Sequence, residues 1–311
     1  MPELSVIVCV YNEEENVKPL INKIFKDLEG IDLELIYVDD GSTDGTVKAV
    51  KSFQDSRLVL LELKKNYGQS TALAAGIDYA SGEYIALLDG DLQNDPSDIP
   101  AMLELAKQEE WDLVAGIRAN RQDGMFLRKI PSKIANAIIR ETTQVKIKDY
   151  GCTLKVFKQD IAKKIGLYGE LHRFIPVLAA FEGARITQLD VKHHPRIHGQ
   201  SKYGLGRTTR VISDLMLMIF FRKYLQKPMH LFGGSGFILL SIGGLIEFYL
   251  LVLKLMGQDI WGKPLLLLGM IFIIAGIQLI SVGIITELQI RTYYESQNKK
   301  RYNLKRIWKA E

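Results

Sequence analysis

Apolar residues in the first part of the chain form short runs that alternate with stretches of helical spacing. The runs are rich in valine, isoleucine and leucine, as buried parallel strands are, and they lie at residues 4–10, 33–38, 58–63, 84–88 and 113–116. Between them, apolar side chains recur every three or four residues, which predicts helices over 17–28, 70–80 and 98–108. Strands that alternate with helices predict an α/β fold with a doubly wound parallel sheet.

Acidic and amide side chains follow three of these strands at the point where each strand ends. Tyr11-Asn12-Glu13 follows the first strand, Asp39-Asp40 the second, and Asp89-Gly90-Asp91 the run at 84–88. Asn12 is also a candidate cap for the helix that follows it. Ligands of open α/β sheets bind outside the carboxyl ends of the strands, so three polar turns on one edge favour a binding site over solvated acidic turns.

The two carboxylates of Asp89-Gly90-Asp91 repel each other, and folding alone gives little reason to place them one residue apart. Carboxylate oxygens are the ligands that Mg²⁺ or Mn²⁺ prefers, usually with substrate phosphates completing the coordination shell. We therefore expect Asp89 and Asp91 to hold a divalent metal on a nucleotide diphosphate.

Two long apolar stretches lie further along the chain. Residues 231–253 contain one charge, Glu247, and residues 265–285 contain none. Each exceeds the ~20 residues that cross ~30 Å of hydrocarbon, and the short connector between them predicts a transmembrane hairpin. Lysine and arginine are concentrated before the first stretch and after the second, which predicts that both termini are cytoplasmic. Glycines recur every seven residues in both stretches, which predicts close helix packing.

Two segments before the hairpin, residues 117–148 and 204–227, mix basic residues with apolar ones. Basic amphipathic segments are typical of contact with a membrane surface, although an ordinary surface helix carries the same pattern. Their position beside two apolar spans favours the interfacial interpretation.

Composition and motif absences narrow the function classes. The net charge of the 311-residue chain is only +4, which does not favour nucleic acid as a partner. Cys9 and Cys152 form no metal-binding or disulfide pattern, which fits a reducing compartment, and the first residues do not resemble a signal peptide. Gly-x-Gly-x-x-Gly and P-loop patterns are absent, so a nucleotide would be held through a metal and acidic side chains. The histidines are spaced wrongly for a closed zinc site.

The motifs together resemble family 2 glycosyltransferases of the GT-A fold, and among them the polyprenyl-phosphate hexose synthases, the group of dolichol-phosphate mannose synthase and the bactoprenol glucosyltransferases. The resemblance runs essentially end to end and rests on Val10-Tyr11-Asn12-Glu13-Glu14, Val38-Asp39-Asp40-Gly41-Ser42-Thr43-Asp44-Gly45-Thr46, Asn66-Tyr67-Gly68, Asp89-Gly90-Asp91-Leu92-Gln93-Asn94-Asp95-Pro96, Gly116-Ile117-Arg118, Arg128 with Ser132, and His198-Gly199-Gln200-Ser201-Lys202-Tyr203. It implies a GT-A-type doubly wound mixed sheet, Rossmann-like, with interfacial helices and a two-helix membrane hairpin.

The resemblance also implies roles for individual residues. Those that line the pocket for the nucleotide are Tyr11, Asn12, Glu13, Asp39 and Asp40. Asp91 and Gln93 hold Mg²⁺ or Mn²⁺ on the donor diphosphate, and Asp89 contacts that metal or the ribose. Those that meet the acceptor phosphate or the donor diphosphate are Arg118, Arg128, Ser132 and Lys202. Apart from the resemblance, Arg196 and His198 are further candidates for these phosphates, because fixed positive charge stabilises a leaving diphosphate. Asp149 lies where the family keeps an acid near the acceptor, as a base or an orienting group, with a turn aspartate as the alternative. The transfer would be a single inverting displacement, with Asp89, Asp91, Asp149 and Lys202 as its catalytic set.

The expected organisation has four parts: a cytosolic catalytic domain over 1–203, amphipathic juxtamembrane helices over 204–228, the hairpin within 229–290, and a basic cytosolic tail over 291–311. The expected protein is a multi-pass protein of the plasma or inner membrane, with its catalytic domain in the cytoplasm. Its partners would be a nucleotide sugar, a polyprenyl phosphate (undecaprenyl or dolichyl) and membrane lipid. The glycine-lined spans and Glu247 favour a homo-oligomer, with a tetramer as one candidate.

The sugar is the least determined part of the substrate. Resemblance to the bacterial glucosyltransferases favours glucose from UDP-glucose, with a GDP-mannose-dependent mannose synthase as the alternative. A processive polysaccharide synthase would carry a Gln-x-x-Arg-Trp motif and more spans, and neither is present. A non-catalytic membrane scaffold or flippase subunit is disfavoured because the acidic, amide and basic residues are all retained.

Overall fold

The first part of the chain is built on one sheet. The computed structural model describes residues 1–118, 145, 147–167, 169, 171–195, 220, 224 and 227–296, without the side chains of residues 291 and 293–296. The strands among them are β1 Leu4–Val10, β2 Leu33–Asp39, β3 Leu58–Glu62, β4 Tyr84–Asp89, β5 Leu113–Arg118, β6 Lys155–Lys158 and β7 Ile186–Val191. Their order in the sheet is β3-β2-β1-β4-β6-β5-β7. Only β6 among them runs antiparallel to its neighbours, β4 and β5.

Helices cover both faces of this sheet. The described helices of this part are α1 Glu14–Asp27, α2 Thr46–Lys51, α3 Gln69–Tyr79, α4 Ile99–Gln108, α5 Gln159–Ala162 and α6 Ile175–Phe181, with 3₁₀ turns at Pro96–Asp98 and Leu171–Phe174. Leu20 of α1 and Met102 of α4 join the core cluster that contains Val6 of β1. On the other face, Gly76 of α3 lies so close to Ile7 that an added Cβ would be 2.5 Å from its Cγ2. Successive strand residues point to opposite faces, so these contacts give three layers, as predicted.

The structure confirms the α/β fold and adjusts it in three places. The sheet is mixed, as the family resemblance implied, and not wholly parallel, as the alternation of elements alone predicted. β5 continues to Arg118, two residues beyond its predicted end at Gly116. The prediction that Asn12 caps the first helix is wrong: Glu13 is the N-cap residue, and Asn12 takes a positive φ of 52°. The Asn12 side chain instead accepts a hydrogen bond from Thr43 N–H (2.8 Å).

Two glycines allow the loops that follow the carboxyl ends of the strands to approach each other closely. Gly41 has a φ of +74°, and a Cβ there would lie 2.5 Å from the backbone carbon of Lys65. A Cβ at Gly90 would lie 2.5 Å from Cγ1 of Val10, the last residue of β1. The Asp89-Gly90-Asp91 turn therefore packs directly against the end of the neighbouring strand.

The chain divides into two compact units, Met1–Leu215 and Met216–Glu311. The described part of the second unit is dominated by two long helices, α7 Pro228–Leu255 and α8 Pro264–Ser296. Both are long and apolar enough to cross a membrane, and they contain the predicted spans. The finer division into four parts remains a prediction.

Glycines bring α7 and α8 into backbone contact, as their spacing predicted. A Cβ at Gly236 would lie 2.6 Å from the carbonyl oxygen of Gly276, and a Cβ at Gly243 would lie 2.8 Å from that of Gly269. Glu247, the single acid of α7, faces the contact surface between α7 and α8, because a Cβ at Gly269 would meet its Oε1. The hairpin is therefore a closely packed helix pair.

Candidate active site

The polar turns predicted from the sequence lie on neighbouring strands. β2, β1 and β4 are adjacent and parallel, with Val10 paired to Asp39 and Cys9 paired to Asp89. The carboxyl ends of all three therefore open on one edge, where ligands of such sheets bind. Tyr11, Asp39 and Asp89 all belong to this edge, which we call the carboxyl edge.

Asp89 is the last residue of β4, and two amide side chains hold its carboxylate. Gln69, at the start of α3, donates Nε2–H to Oδ1 (2.9 Å), and Asn94 donates Nδ2–H to Oδ2 (3.4 Å). Burial and the nearby Asp91 carboxylate raise the pKa of Asp89 to about 6, although the Thr153 hydroxyl and Lys155 act in the opposite direction. Burial is the larger cause of this raised pKa and repulsion from Asp91 the second, and a cation between the two carboxylates would relieve that repulsion.

Asp91 and Gln93 lie on the loop that follows β4. Asp91 is 8% exposed, and its Oδ1 accepts the backbone N–H of Gln93 (3.1 Å). In the part of the chain that the structure describes, no three His, Cys, Asp or Glu side chains are grouped as a metal site. The predicted set of two carboxylates and one amide fits Mg²⁺ or Mn²⁺ only if diphosphate or water oxygens complete the shell. That is the usual arrangement for Mg²⁺ bound with a nucleotide.

The paired acids at the end of β2 have different environments. Both oxygens of Asp40 accept backbone N–H groups, from Tyr67 (2.7 Å) and Gly68 (2.9 Å), so this side chain shapes the loop before α3. Asp39 is 2% exposed, and its Oδ2 accepts Ser42 N–H (3.1 Å). Its Oδ1 is buried and accepts no hydrogen bond from the described residues. An unpaired buried oxygen costs about 1–3 kcal/mol, so Asp39 is the acid that calls for an external donor.

The turn after β1 is fastened to the loop after β2. Asn12 donates its backbone N–H to Ser42 Oγ (2.8 Å), and Glu13 donates its own to Thr46 Oγ1 (2.9 Å). The Glu13 carboxylate accepts Asn16 Nδ2–H (2.6 Å). These bonds define one wall of the carboxyl edge. The side chain of Asn12 belongs to that wall through its bond to Thr43.

Arg118 and Asp149, predicted separately for phosphate binding and for an acid near the acceptor, form one ion pair. Arg118 donates Nε–H to Asp149 Oδ2 (2.7 Å) and Nη2–H to Oδ1 (2.8 Å), and both side chains are mostly buried. Gly151 N–H also reaches Oδ1 (3.1 Å). A carboxylate held in this bidentate way orients its arginine, which favours the orienting role of Asp149 over the role of a base.

Three residues of this edge were missed by the sequence analysis: Gln69, Asn94 and Lys155. Lys155 is the first residue of β6 and is 1% exposed, and its Nζ donates to the carbonyl oxygen of Cys152. Burial lowers the pKa of Lys155, and the carboxylates of Asp149 and Asp89 oppose that shift. In the sequence, Lys155 is distinguished only as a lone lysine in the apolar run from Leu154 to Phe157. Gln69 and Asn94 each adjoin or belong to a motif already singled out.

The remaining predicted phosphate contacts, Arg128, Ser132, Arg196, His198 and Lys202, lie outside the described residues. The described part of the edge therefore contains the predicted nucleotide and metal residues, together with the Arg118–Asp149 pair.

Comparison with known proteins identifies the family. Residues 5–166 match the family described as glycosyl transferase family 2. The chain is 44% identical over 314 residues to the dodecaprenyl-phosphate galacturonate synthase of Rhizobium johnstonii, covering 98% of this chain and 93% of that protein. It is 33% identical over 312 residues to the undecaprenyl-phosphate 4-deoxy-4-formamido-L-arabinose transferase of Aeromonas hydrophila, again with 98% and 93% covered.

A solved structure extends the comparison to the fold. Glucosyl-3-phosphoglycerate synthase from Mycobacterium tuberculosis, in complex with Mn²⁺, UDP-glucose and phosphoglyceric acid, superposes with a TM-score of 0.55 at 19% identity, covering 70% of this chain and 80% of that one. This similarity concerns the fold, which is of the GT-A type. Together the matches show that the chain is a glycosyltransferase and belongs to glycosyl transferase family 2.

Proposed function

We propose that this protein transfers a sugar from a nucleotide sugar to a polyprenyl phosphate, with a divalent metal on the donor diphosphate. The observation that carries the proposal is the convergence of Asp39, Asp89 and Asp91 on one sheet edge. The full-length similarity to two transferases named for polyprenyl phosphate supports the acceptor class.

The nucleotide base would lie against the end of β2. The unpaired Oδ1 of Asp39 is a buried acceptor at the carboxyl edge, and the imide N–H of a uracil is a donor of the required type. Tyr11 and Glu13 would border the same pocket, and Asp40 would contribute by fixing the loop beside it. A guanine also presents N–H donors, so this acceptor restricts the ligand to bases with such a group.

The metal would be held by Asp91, Asp89 and Gln93. When bound, it would neutralise charge on the diphosphate as the bond to the anomeric carbon breaks. Gln69 and Asn94 hold the Asp89 carboxylate by its two oxygens, and this fixes the ligand before the metal arrives. The likeness to a fold that binds Mn²⁺ with UDP-glucose supports Mn²⁺ or Mg²⁺.

The acceptor would arrive already as an anion. A phosphate monoester with a second pKa near ~6 is largely doubly charged at neutral pH, so it needs positioning by cations more than removal of a proton. Arg118 is pre-oriented by Asp149 for that task. Arg128, Ser132, Arg196, His198 and Lys202 are proposed as further contacts to the two phosphate groups. The product would carry the sugar with inverted configuration at the anomeric carbon.

For the sugar, we propose a uronic acid carried on UDP. The expectation of glucose rested on resemblance alone, and the comparisons do not support it: the relative at 44% identity is named for galacturonate. A uronate adds a carboxylate to the sugar. A site that is already rich in aspartate would repel this carboxylate unless a cation neutralised it. UDP-glucose and GDP-mannose remain the alternatives to be tested against it.

Membrane attachment would be through α7 and α8, with the catalytic part and both termini on the cytoplasmic side. The length and composition of the two helices support the membrane attachment. The cytoplasmic orientation is proposed from the lysine and arginine residues that flank the two apolar stretches. A homo-oligomer remains a prediction from the glycine spacing and Glu247.

The deciding experiment offers the purified full chain undecaprenyl phosphate, Mn²⁺ or Mg²⁺, and labelled UDP-galacturonate, UDP-glucose, UDP-galactose or GDP-mannose in separate reactions. We expect lipid-linked label with UDP-galacturonate and much less with the neutral sugars. Preferential transfer of a neutral sugar would overturn the uronate assignment and leave the acceptor class intact. Absence of lipid-linked product with every donor would overturn the proposed function.

A further inference from the structure

A short segment after β7 is docked on the loop that bears the proposed metal ligands. We call residues 89–98 the metal loop and residues 192–195 the post-β7 segment. The backbone N–H of His194 donates to the carbonyl oxygen of Gln93 (2.8 Å), and Asn94 forms an antiparallel bridge with His193. Lys192 N–H donates to Asp98 (2.7 Å). The two segments are therefore joined along their length.

Asp95 is the centre of this contact. Its side chain is 8% exposed. Oδ2 lies 2.8 Å from His194 Nε2, while Oδ1 lies 2.9 Å from Lys23 Nζ of α1 and accepts Ser97 N–H (3.0 Å). Burial alone would raise the pKa of Asp95, but the bonds from His194 and Lys23 outweigh it and hold that pKa well below its usual range. One buried carboxylate thus ties together the metal loop, α1 and the post-β7 segment.

The cluster of Asp95, His194 and Lys23 lies beside the proposed metal ligands. Asp95 follows the proposed ligand Gln93 by two residues, and its partner His194 holds the carbonyl of Gln93 itself. At its other end the post-β7 segment continues through Pro195 to Arg196, which the sequence analysis assigns to a phosphate. The cluster therefore contacts the loop of the proposed metal ligands, and in the sequence it directly precedes a segment proposed for phosphate binding.

We propose that Asp95 is a positioning residue of the donor site, which acts with His194 and Lys23 to fix the backbone that presents Asp91 and Gln93. The inference rests on the proposed function. It adds a supporting residue that does not itself meet the metal or the nucleotide. Loss of a group that orients metal ligands typically costs about 10–100-fold in metal affinity or activity, and an effect of that size is expected here.

The test compares Asp95→Asn with a matched control variant, Asp112→Asn, at the opposite edge of the sheet. Like Asp95, Asp112 accepts hydrogen bonds from a lysine, Lys158 Nζ (3.0 Å), and from a backbone N–H, that of Arg185 (2.8 Å). It lies just before β5. Isothermal titration of the full chain in detergent would measure Mn²⁺-dependent binding of UDP, and thermal unfolding would measure stability. Both variants should lose stability, but only Asp95→Asn should weaken Mn²⁺-dependent UDP binding by about tenfold or more.

A second pair of variants separates positioning from packing. His194→Gln keeps an N–H donor for Asp95 and should keep most of the UDP affinity of the wild type. His194→Leu has no such donor and should lose as much UDP affinity as Asp95→Asn. Equal UDP affinity in the Asp95 and Asp112 variants, or equal UDP affinity in the two His194 variants, would overturn this inference and leave the proposed function intact. A wild-type chain that binds no UDP with Mn²⁺ would overturn the proposed function, and the inference with it.

Discussion

At the scale of single residues, acids that look equivalent in the sequence do different work. Asp39 and Asp40 are neighbours in one motif, and the pattern predicted both as nucleotide contacts. Asp40 is occupied by the amides of Tyr67 and Gly68, which lie 27 and 28 residues away in the chain, while one oxygen of Asp39 has no described partner. Residue type and location could be predicted from the motif. The division of roles could not, because it depends on a loop that folds back from a different strand.

This division predicts opposite outcomes for two conservative changes. Asp40→Asn places an amide NH₂ against a backbone N–H and should lower the free energy of unfolding by about 1–3 kcal/mol. Asp39→Asn removes a buried, half-satisfied carboxylate, so it should leave stability nearly unchanged and weaken UDP binding. Thermal unfolding and UDP titration of the two purified variants check this. A destabilised Asp39→Asn variant with normal UDP affinity would reverse the assignment.

Glu34 gives a prediction for the pH dependence of stability. Its Oε1 accepts the hydroxyls of Ser5 (2.6 Å) and Ser81 (2.9 Å) and the backbone N–H of Ser81 (2.7 Å). Burial raises the pKa of Glu34, but these bonds outweigh it and lower that pKa below 4.5. Because the folded-state pKa is the lower one, the stabilisation is complete above pH 4.5 and is lost as the pH falls through the folded-state value.

Glu34→Gln should accordingly be less stable than the wild type at pH 7, by about 1 kcal/mol for a partly exposed carboxylate. The difference should shrink as the pH falls below 4.5. Urea-unfolding midpoints measured from pH 3 to 7 would show whether the two curves converge. Parallel curves over that range would mean that the charge of Glu34 does not contribute.

At the scale of elements, the pattern did not reveal the short antiparallel strand β6, nor strand β7 and the short helices α2, α5 and α6. Strand β6 has four residues with a lysine at each end, and that run resembles a surface turn. The lysine at its start is buried because β6 lies between β4 and β5, pairing Lys155 with Leu87 and with Ala115. Only the folded sheet brings those strands together. The long, strongly apolar strands β1, β2 and β4 needed no such context, and their positions were predicted within a residue.

Lys155 supports a prediction about binding. Asp89 must be ionised to hold a metal, and Lys155 lowers its pKa from what burial and Asp91 alone would give. Lys155→Met should therefore raise the pKa of Asp89 above about 6, and Mn²⁺-dependent UDP binding should weaken at pH 7 and recover towards pH 8.5. Lys158→Met is the control, because that lysine is in the same strand and pairs with Asp112. If both variants show the same pH profile, Lys155 has no specific effect on Asp89.

The helix pair offers a test with neighbouring residues. A Cβ at Gly243 would lie 2.8 Å from the Gly269 carbonyl oxygen, but a Cβ at Gly244 would meet nothing within 4 Å. Gly243→Ala should destabilise the α7–α8 pair by about 1–3 kcal/mol through overpacking. Gly244→Ala should stabilise it by about 0.5–1 kcal/mol, because alanine is the better helix former. Unfolding of the two variants in the same detergent measures the contrast, and equal effects would contradict the close packing of the two helices.

At the scale of the whole molecule, the sequence predicted two unlike parts, and the structure contains both: an α/β sheet with its polar turns on one edge, and a pair of long apolar helices. Periodicity and apolar length suffice for that level. What they could not supply are the contacts made across long sequence separations, such as Arg118 with Asp149 and Asp95 with His194. Those contacts convert a row of acidic turns into a site with supporting residues.

A metal held at Asp91 should serve the transfer of a sugar to a polyprenyl phosphate. The most direct measurement incubates the purified full chain with undecaprenyl phosphate and labelled UDP-galacturonate, and counts label in the organic phase with Mn²⁺ and with EDTA. We expect label with Mn²⁺, background with EDTA, and background for a normally folded Asp91→Asn variant. Undiminished transfer in EDTA or by Asp91→Asn would contradict this role of the metal.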